Sequence, residues 1–211
     1  MNKQKVNKEK YDRLLIYFSG FIAHYALDSE THSLIFKYGG SGDSHKKLEI
    51  ELDIKFMSEK WNLNAEKISI VKAINLGDKL PDYIRDYYYK IFRELYNLKA
   101  DKEIINASYQ DMKSFHKIFY TPQNFKLMFI KMLNKVVPPN ILIYNYKENQ
   151  NFKLLNSNFH TEFNDYYNKA IKKAIKLYEL LFAFLNEIIS ENELEDSLYN
   201  LVNKDFSGKK I

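Results

Sequence analysis

The stretch Gly20–Asp53, GFIAHYALDSETHSLIFKYGGSGDSHKKLEIELD, decides both the fold and the chemistry expected of the chain. It holds three of the five histidines, His24, His32 and His45, in a chain otherwise poor in that residue. Asp28 stands midway between the first two, and Glu49 follows the third by four residues. Residues four apart on a helix lie one turn apart on the same face. His24, Asp28 and His32 therefore read as a ladder of metal-ligand side chains along one stripe. The Gly-containing segment from Lys37 to Asp43 reverses the chain, and a second helix beginning near Asp43 or Ser44 carries His45 and Glu49 at the same spacing. Packed antiparallel, the two helices would bring five nitrogen and oxygen ligands together. Imidazole with carboxylate on rigid elements is the donor set of a zinc site.

A single His–carboxylate pair at this spacing usually signals only a satisfied polar pair. Two pairs plus His32 in so short a stretch point further, because Leu14, Leu15, Ile16, Phe18, Phe21, Ile22, Ala26 and Leu27 surround the first ladder. Ionisable groups buried in such surroundings need a partner, at a cost of roughly 2–7 kcal/mol for even a neutral polar group left without one. A divalent cation would satisfy them together.

HYALDSETH followed by HKKLE resembles the zinc-dependent phospholipase C family, in particular its small bacterial members, and single-strand nucleases are more distant relatives. The resemblance is sharpest over residues 20–53. It implies an all-α fold and hydrolysis of a phosphodiester, on the glycerol side of a phospholipid head group. By position, His24 and Asp28 match the family's HxxxD pair, with Asp28 as the bridging carboxylate and catalytic group. His32 matches the single intervening histidine, and His45 with Glu49 matches the HxxxE pair. The family draws further ligands from upstream, whereas here 23 residues precede His24 and none is histidine. The expectation is therefore zinc in one to three ions, with fewer than three in this chain. A metal-binding scaffold without catalysis and a nuclease-like phosphodiesterase are the alternatives. His160 falls where relatives often carry a histidine and is the candidate on the substrate side.

The remaining composition fits an all-α bundle of about six to eight helices in a single domain. The chain has 211 residues, 45% of them hydrophobic, with 17 Tyr and 15 Phe to fill a core. Six Gly and four Pro are too few for a sandwich of many short strands. The absence of cysteine excludes disulfides and a thiolate zinc site. A net charge of +5, mostly from lysine, is a weak pointer to anionic membrane or nucleic acid, the former preferred as a peripheral contact. The N-terminal apolar run is broken by Tyr, Ser and His, so it reads as a core helix rather than a signal peptide, and the expected compartment is the cytoplasm. No apolar run reaches the ~18 residues of a spanning helix.

Periodicity and punctuation predict helices over about Lys8–Phe36, with Gly20 inside either at a close helix approach or by accident of drift, and Ser44–Glu59, capped by Ser44 and ended by Trp61 as a core anchor. Others follow over Pro81–Leu98, Asp101–Tyr120 and from Thr121-Pro122 to about Val136. His116 lies on the fourth without a carboxylate partner. Ala65–Ile74 reads as a short helix or turns. Pro138–Phe159 reads as a polar loop bearing Tyr144 and Tyr146. A final long helix over Glu162–Ile189 carries the cleanest stripe, and residues 191–211 read as a solvated tail.

Overall fold

The computed structural model describes residues 8–65, 68–120, 124–133, 135–136 and 157–202. Eight helices and no strand lie among them: α1 (Lys8–Gly39), α2 (Asp43–Trp61), α3 (Ile70–Ala73), α4 (Asp82–Glu94), α5 (Lys102–Phe119), α6 (Asn124–Leu133), α7 (Ser157–Leu185) and α8 (Glu191–Leu201). The all-α class follows as expected. Among the described residues no helix is long and apolar enough to cross a membrane. The chain divides into two compact units, Met1–Leu14 with Ile50–Asn151, and Leu15–Glu49 with Phe152–Ile211. Each has its own internal logic.

The second of these units is built on the long part of α1. Ile22, Ala26, Leu34 and Ile35 are buried along it. On α7, Phe159, Phe163, Ala170 and Leu177 form the matching stripe at three- and four-residue multiples. Ile22, Ala26 and Leu177 make a common core, against which Phe18, Tyr178, Leu181, Leu198 and Leu201 pack. The last two belong to α8, so the segment expected to be a solvated tail is helical to Leu201 and adds to this core. Its start is fixed by a capping box: Ser190 Oγ accepts from Glu193 N–H, and the Glu193 carboxylate accepts from Ser190 N–H. The Ser190 N–H and the Ser190 hydroxyl both donate to that carboxylate at 2.8 Å and hold the Glu193 carboxyl below the usual range. Helix α7 starts at Ser157, earlier than the composition of the preceding loop suggested, and Phe159 is fully buried.

The other unit is organised by one face of α5. Asp101 caps that helix, accepting from Ile104 N–H at 2.7 Å. Asn106, Tyr109, Gln110 and Lys113 then project along one stripe and grip the backbone of the loop after α3. Tyr109 Oη accepts from Leu76 N–H at 2.7 Å and lies 3.3 Å from the carbonyls of Ile74 and Gly77. Asn106 Oδ1 accepts from Leu80 N–H, Gln110 donates to Asp78 O, and Lys113 Nζ donates to Gly77 O at 2.7 Å. Helices α4 and α5 are further joined by Lys102 and Asp86 at 2.9 Å. The Lys102 ammonium and the neighbouring Arg85 hold the Asp86 carboxyl below its ordinary range.

Several local expectations change. Trp61 is 66% exposed at the end of α2 and anchors no core. Along α1, Ile16 is 72% and Phe21 51% exposed, so its apolar surface is only partly covered. Gly20 faces open space, so no close approach explains it; that role belongs to Gly39. Helix α2 begins at Asp43, one of the two expected starts, which leaves Ser44 within its first turn rather than at the cap. Pro81 precedes α4 as its N-cap residue. The expected Thr121-Pro122 boundary and Tyr144 and Tyr146 lie outside the described residues.

Candidate metal centre

The candidate site arises where α2 turns back on the end of α1. Gly40 and Gly42 take φ of +65° and +69°, a backbone region open to glycine at little cost, and this permits the short reversal. At Gly39 the two helices meet. A Cβ on that residue would lie 3.1 Å from His45 Cα and 3.1 Å from Leu48 Cδ2. Leu48 on α2 and Leu34 and Ile35 on α1 are all buried. Contacts of Gly39 and Phe36 with His45, and of His32 with Glu49, run in opposite sequence directions, so the helices are antiparallel here.

This packing sets His45 and Glu49 of α2 against His32 of α1. Ligand atoms from the three side chains all lie within 4.8 Å of one another. Glu49 Oε1 is the focus, 3.1 Å from His45 Nε2 and 3.4 Å from His32 Nε2. Tetrahedral zinc, with ligands at about 2.0–2.2 Å, separates its donor atoms by roughly 3.3–3.5 Å. The two separations at Glu49 Oε1 are of that size, and the group as a whole could hold a metal ion.

The orientation of His45 strengthens the fit. Its Nδ1 lies 3.2 Å from Gly40 O, an atom that can only accept, so Nδ1 carries a hydrogen. In the neutral ring the lone pair is then on Nε2, directed at a carboxylate oxygen. A backbone carbonyl fixing the tautomer of a ligand histidine is the usual supporting arrangement of metal sites. The second Glu49 oxygen is engaged by Lys46 Nζ at 2.9 Å, leaving Oε1 as the inward ligand. Phe36 lies against both imidazoles, its ring centroid 4.6 Å from that of His45 and 6.2 Å from that of His32.

The five expected ligands are thus divided. His24 and Asp28 form their own i,i+4 pair at 3.3 Å, with the His24 side chain 69% exposed. Neither belongs to the group at Glu49, so the structure gives Asp28 no bridging position between His32, His45 and Glu49. His160, half-buried near the start of α7, is also outside that group, and His116 sits half-buried on α5 in the other unit.

The sequence reading missed two polar clusters beside this centre. Lys173, 8% exposed within the apolar stripe of α7, donates to Ser29 Oγ at 2.8 Å and lies 3.3 Å from Glu30 Oε1. A charged residue breaking the stripe between Ala170 and Leu177 was the available signal. Nearer the turn, Glu162 of α7 accepts from Lys37 Nζ at 2.7 Å and from Tyr38 Oη at 2.7 Å. These bonds, Lys37 first, hold the Glu162 carboxyl low, while the carboxylate raises both Lys37 and Tyr38. No pattern in the sequence joins residues so distant along the chain. No family model, curated protein or solved structure matches the chain.

Proposed function

We propose that the chain is a zinc-dependent phosphodiester hydrolase whose metal is held by His32, His45 and Glu49. The observation that carries the reading is the convergence of two imidazole nitrogens on one carboxylate oxygen, with the His45 ring turned by the Gly40 carbonyl. Three protein ligands leave one position of a tetrahedral ion open, as catalytic zinc sites do. Zinc bound there would supply Lewis acidity toward a phosphoryl oxygen and bring the pKa of water toward about 7. The chain's own groups do the rest. Gly40 O keeps the His45 tautomer, Lys46 steadies Glu49, and Asp28, one turn before His32, is the proton acceptor in this reading. The substrate implied by the phospholipase C resemblance is a phospholipid head group, an assignment that rests on that likeness alone.

A second reading is favoured by the separate pairing of His24 with Asp28. With only three ligands grouped, a single zinc would stabilise the α1–α2 corner of a binding or scaffold module and catalyse nothing. Metal analysis and calorimetry of protein purified without added zinc test the shared premise. About one zinc per chain is expected, together with a melting temperature that falls on chelation. Protein that carries no zinc, takes up none and melts unchanged with chelator defeats both readings. Chelator-sensitive hydrolysis of a chromogenic phosphodiester and of phosphatidylcholine then separates the hydrolase from the scaffold. Cleavage of single-stranded nucleic acid without head-group release would assign the nuclease-like alternative.

A further inference from the structure

The surface that most needs explaining lies on α6, in the unit that does not contain the candidate metal centre. Phe125, Met128, Phe129 and Met132 are 77%, 55%, 57% and 61% exposed, and Val136 in the turn beyond is 78% exposed. Their spacing places Phe125, Met128, Phe129 and Met132 on one side of the helix, while Ile130, facing away from them, is 2% exposed. The helix is thus seated by one apolar face and presents another to solvent. Its position is fixed at the N-terminal end, where Lys126 Nζ donates to Lys117 O at 2.6 Å and Tyr120 O at 2.8 Å, clamping α6 to the end of α5.

Charge decides what fits this face. Lys126 flanks the stripe on one side and the exposed Lys131 on the other, with the exposed Lys135 in the turn beyond. From Met112 to Lys147 the sequence contains six lysines and no Asp or Glu. A second copy of the same face would bring lysines against lysines with no carboxylate to meet them. An apolar stripe bordered by cations matches an anionic lipid surface, where acyl chains receive the Phe and Met side chains and head-group phosphates receive the ammonium groups. A helix of ten residues, about 15 Å long, is suited to lying in the interface rather than crossing it.

We propose that the exposed face of α6, Phe125, Met128, Phe129, Met132 and Val136 with Lys131 and Lys135, docks the protein on anionic membrane surfaces. This is independent of the metal centre, so the test is run with chelator present, and its failure leaves the zinc reading standing. The full chain is floated with vesicles of phosphatidylcholine alone and of phosphatidylcholine enriched in phosphatidylglycerol. Wild type should partition onto the anionic vesicles, weaken as salt rises, and ignore the neutral ones. Phe129→Asp and Met132→Asp, at exposed positions, should each lower partitioning at least about tenfold with unchanged circular dichroism. Lys135→Gln should lower it about fivefold. Absent or lipid-indifferent binding overturns the proposal, as does a Phe129→Asp variant that binds like wild type. Wild-type self-association abolished by Phe129→Asp would also overturn it, assigning the face to a second copy.

Discussion

Two histidine–carboxylate pairs with identical spacing have different fates in this molecule. His24 and Asp28 on α1 face each other at 3.3 Å, with the imidazole largely in solvent. His45 and Glu49 on α2 face each other at 3.1 Å, with the imidazole only 10% exposed and a third polar side chain, His32, arriving from α1. Spacing of four residues makes the pair in each case, because it is a property of one helix. A cation site needs a second helix close enough to add a ligand from another direction. Gly39 provides that approach for the second pair; Gly20, near the first, faces open space.

The comparison breaks most decisively under ligand removal. His45→Ala and Glu49→Ala should abolish tight zinc binding, a loss beyond the roughly 10–100-fold that follows removal of a mere supporting group. His24→Ala and Asp28→Asn should leave zinc content and affinity at wild-type levels. Titration against a chromophoric chelator reads all four. Equal losses at Asp28 and Glu49 would restore the single five-ligand ladder in place of the divided arrangement.

How much of this was legible beforehand follows the same distinction. The helices could be read because capping residues, proline positions and three–four periodicity act within a few residues. Asp101 caps α5 as its sequence position suggests, and the α7 stripe is buried at Phe163, Ala170 and Leu177. Of the site, the residues could be named, and His32, His45 and Glu49 do meet. Their separation from His24 and Asp28 could not be foreseen, since it depends on where α2 lies along α1, a matter of the approach of Gly39 to His45 and Leu48 in three dimensions. Trp61 failed for a related reason: a large apolar side chain is buried only where another element covers it. The Lys173–Glu30 and Lys37–Glu162 pairs span more than a hundred residues of chain, beyond the reach of any local pattern.

The next effect in size sharpens the role assigned to the two glycines. Gly39→Ala would press a methyl group against the His45 backbone and Leu48, both at 3.1 Å, and α2 must shift to accept it. A loss of about 1–3 kcal/mol is expected from overpacking, together with weaker zinc binding, because the displaced residue is itself a ligand. Gly20→Ala meets nothing within 4 Å and should stabilise the helix by up to about 1 kcal/mol. Denaturant melts of both variants with and without zinc would show it. Should Gly39→Ala be stabilising and bind zinc normally, close approach is not what joins the second pair to His32.

The smallest effect concerns the bridge from α7 to the residues just beyond Phe36. Glu162 is held low by hydrogen bonds from Lys37 and then Tyr38, so its native pKa is below its unfolded one. Such a carboxylate contributes stability that is fully present above the unfolded value and disappears as pH falls through the native value, beneath the ordinary carboxylate range. Lys37 is raised by the same bond, so its share is present below its unfolded value and fades as pH rises through the native one, at strongly alkaline pH. Glu162→Gln should therefore lower the melting temperature slightly between those limits and by nothing in strong acid. Both groups are solvent-accessible, so added salt should shrink the difference at neutral pH. A difference that survives acid and salt alike would come from the packing of the Glu162 side chain rather than its charge. The end of α1 would then be held against α7 by contact, as it is held against α2 at Gly39.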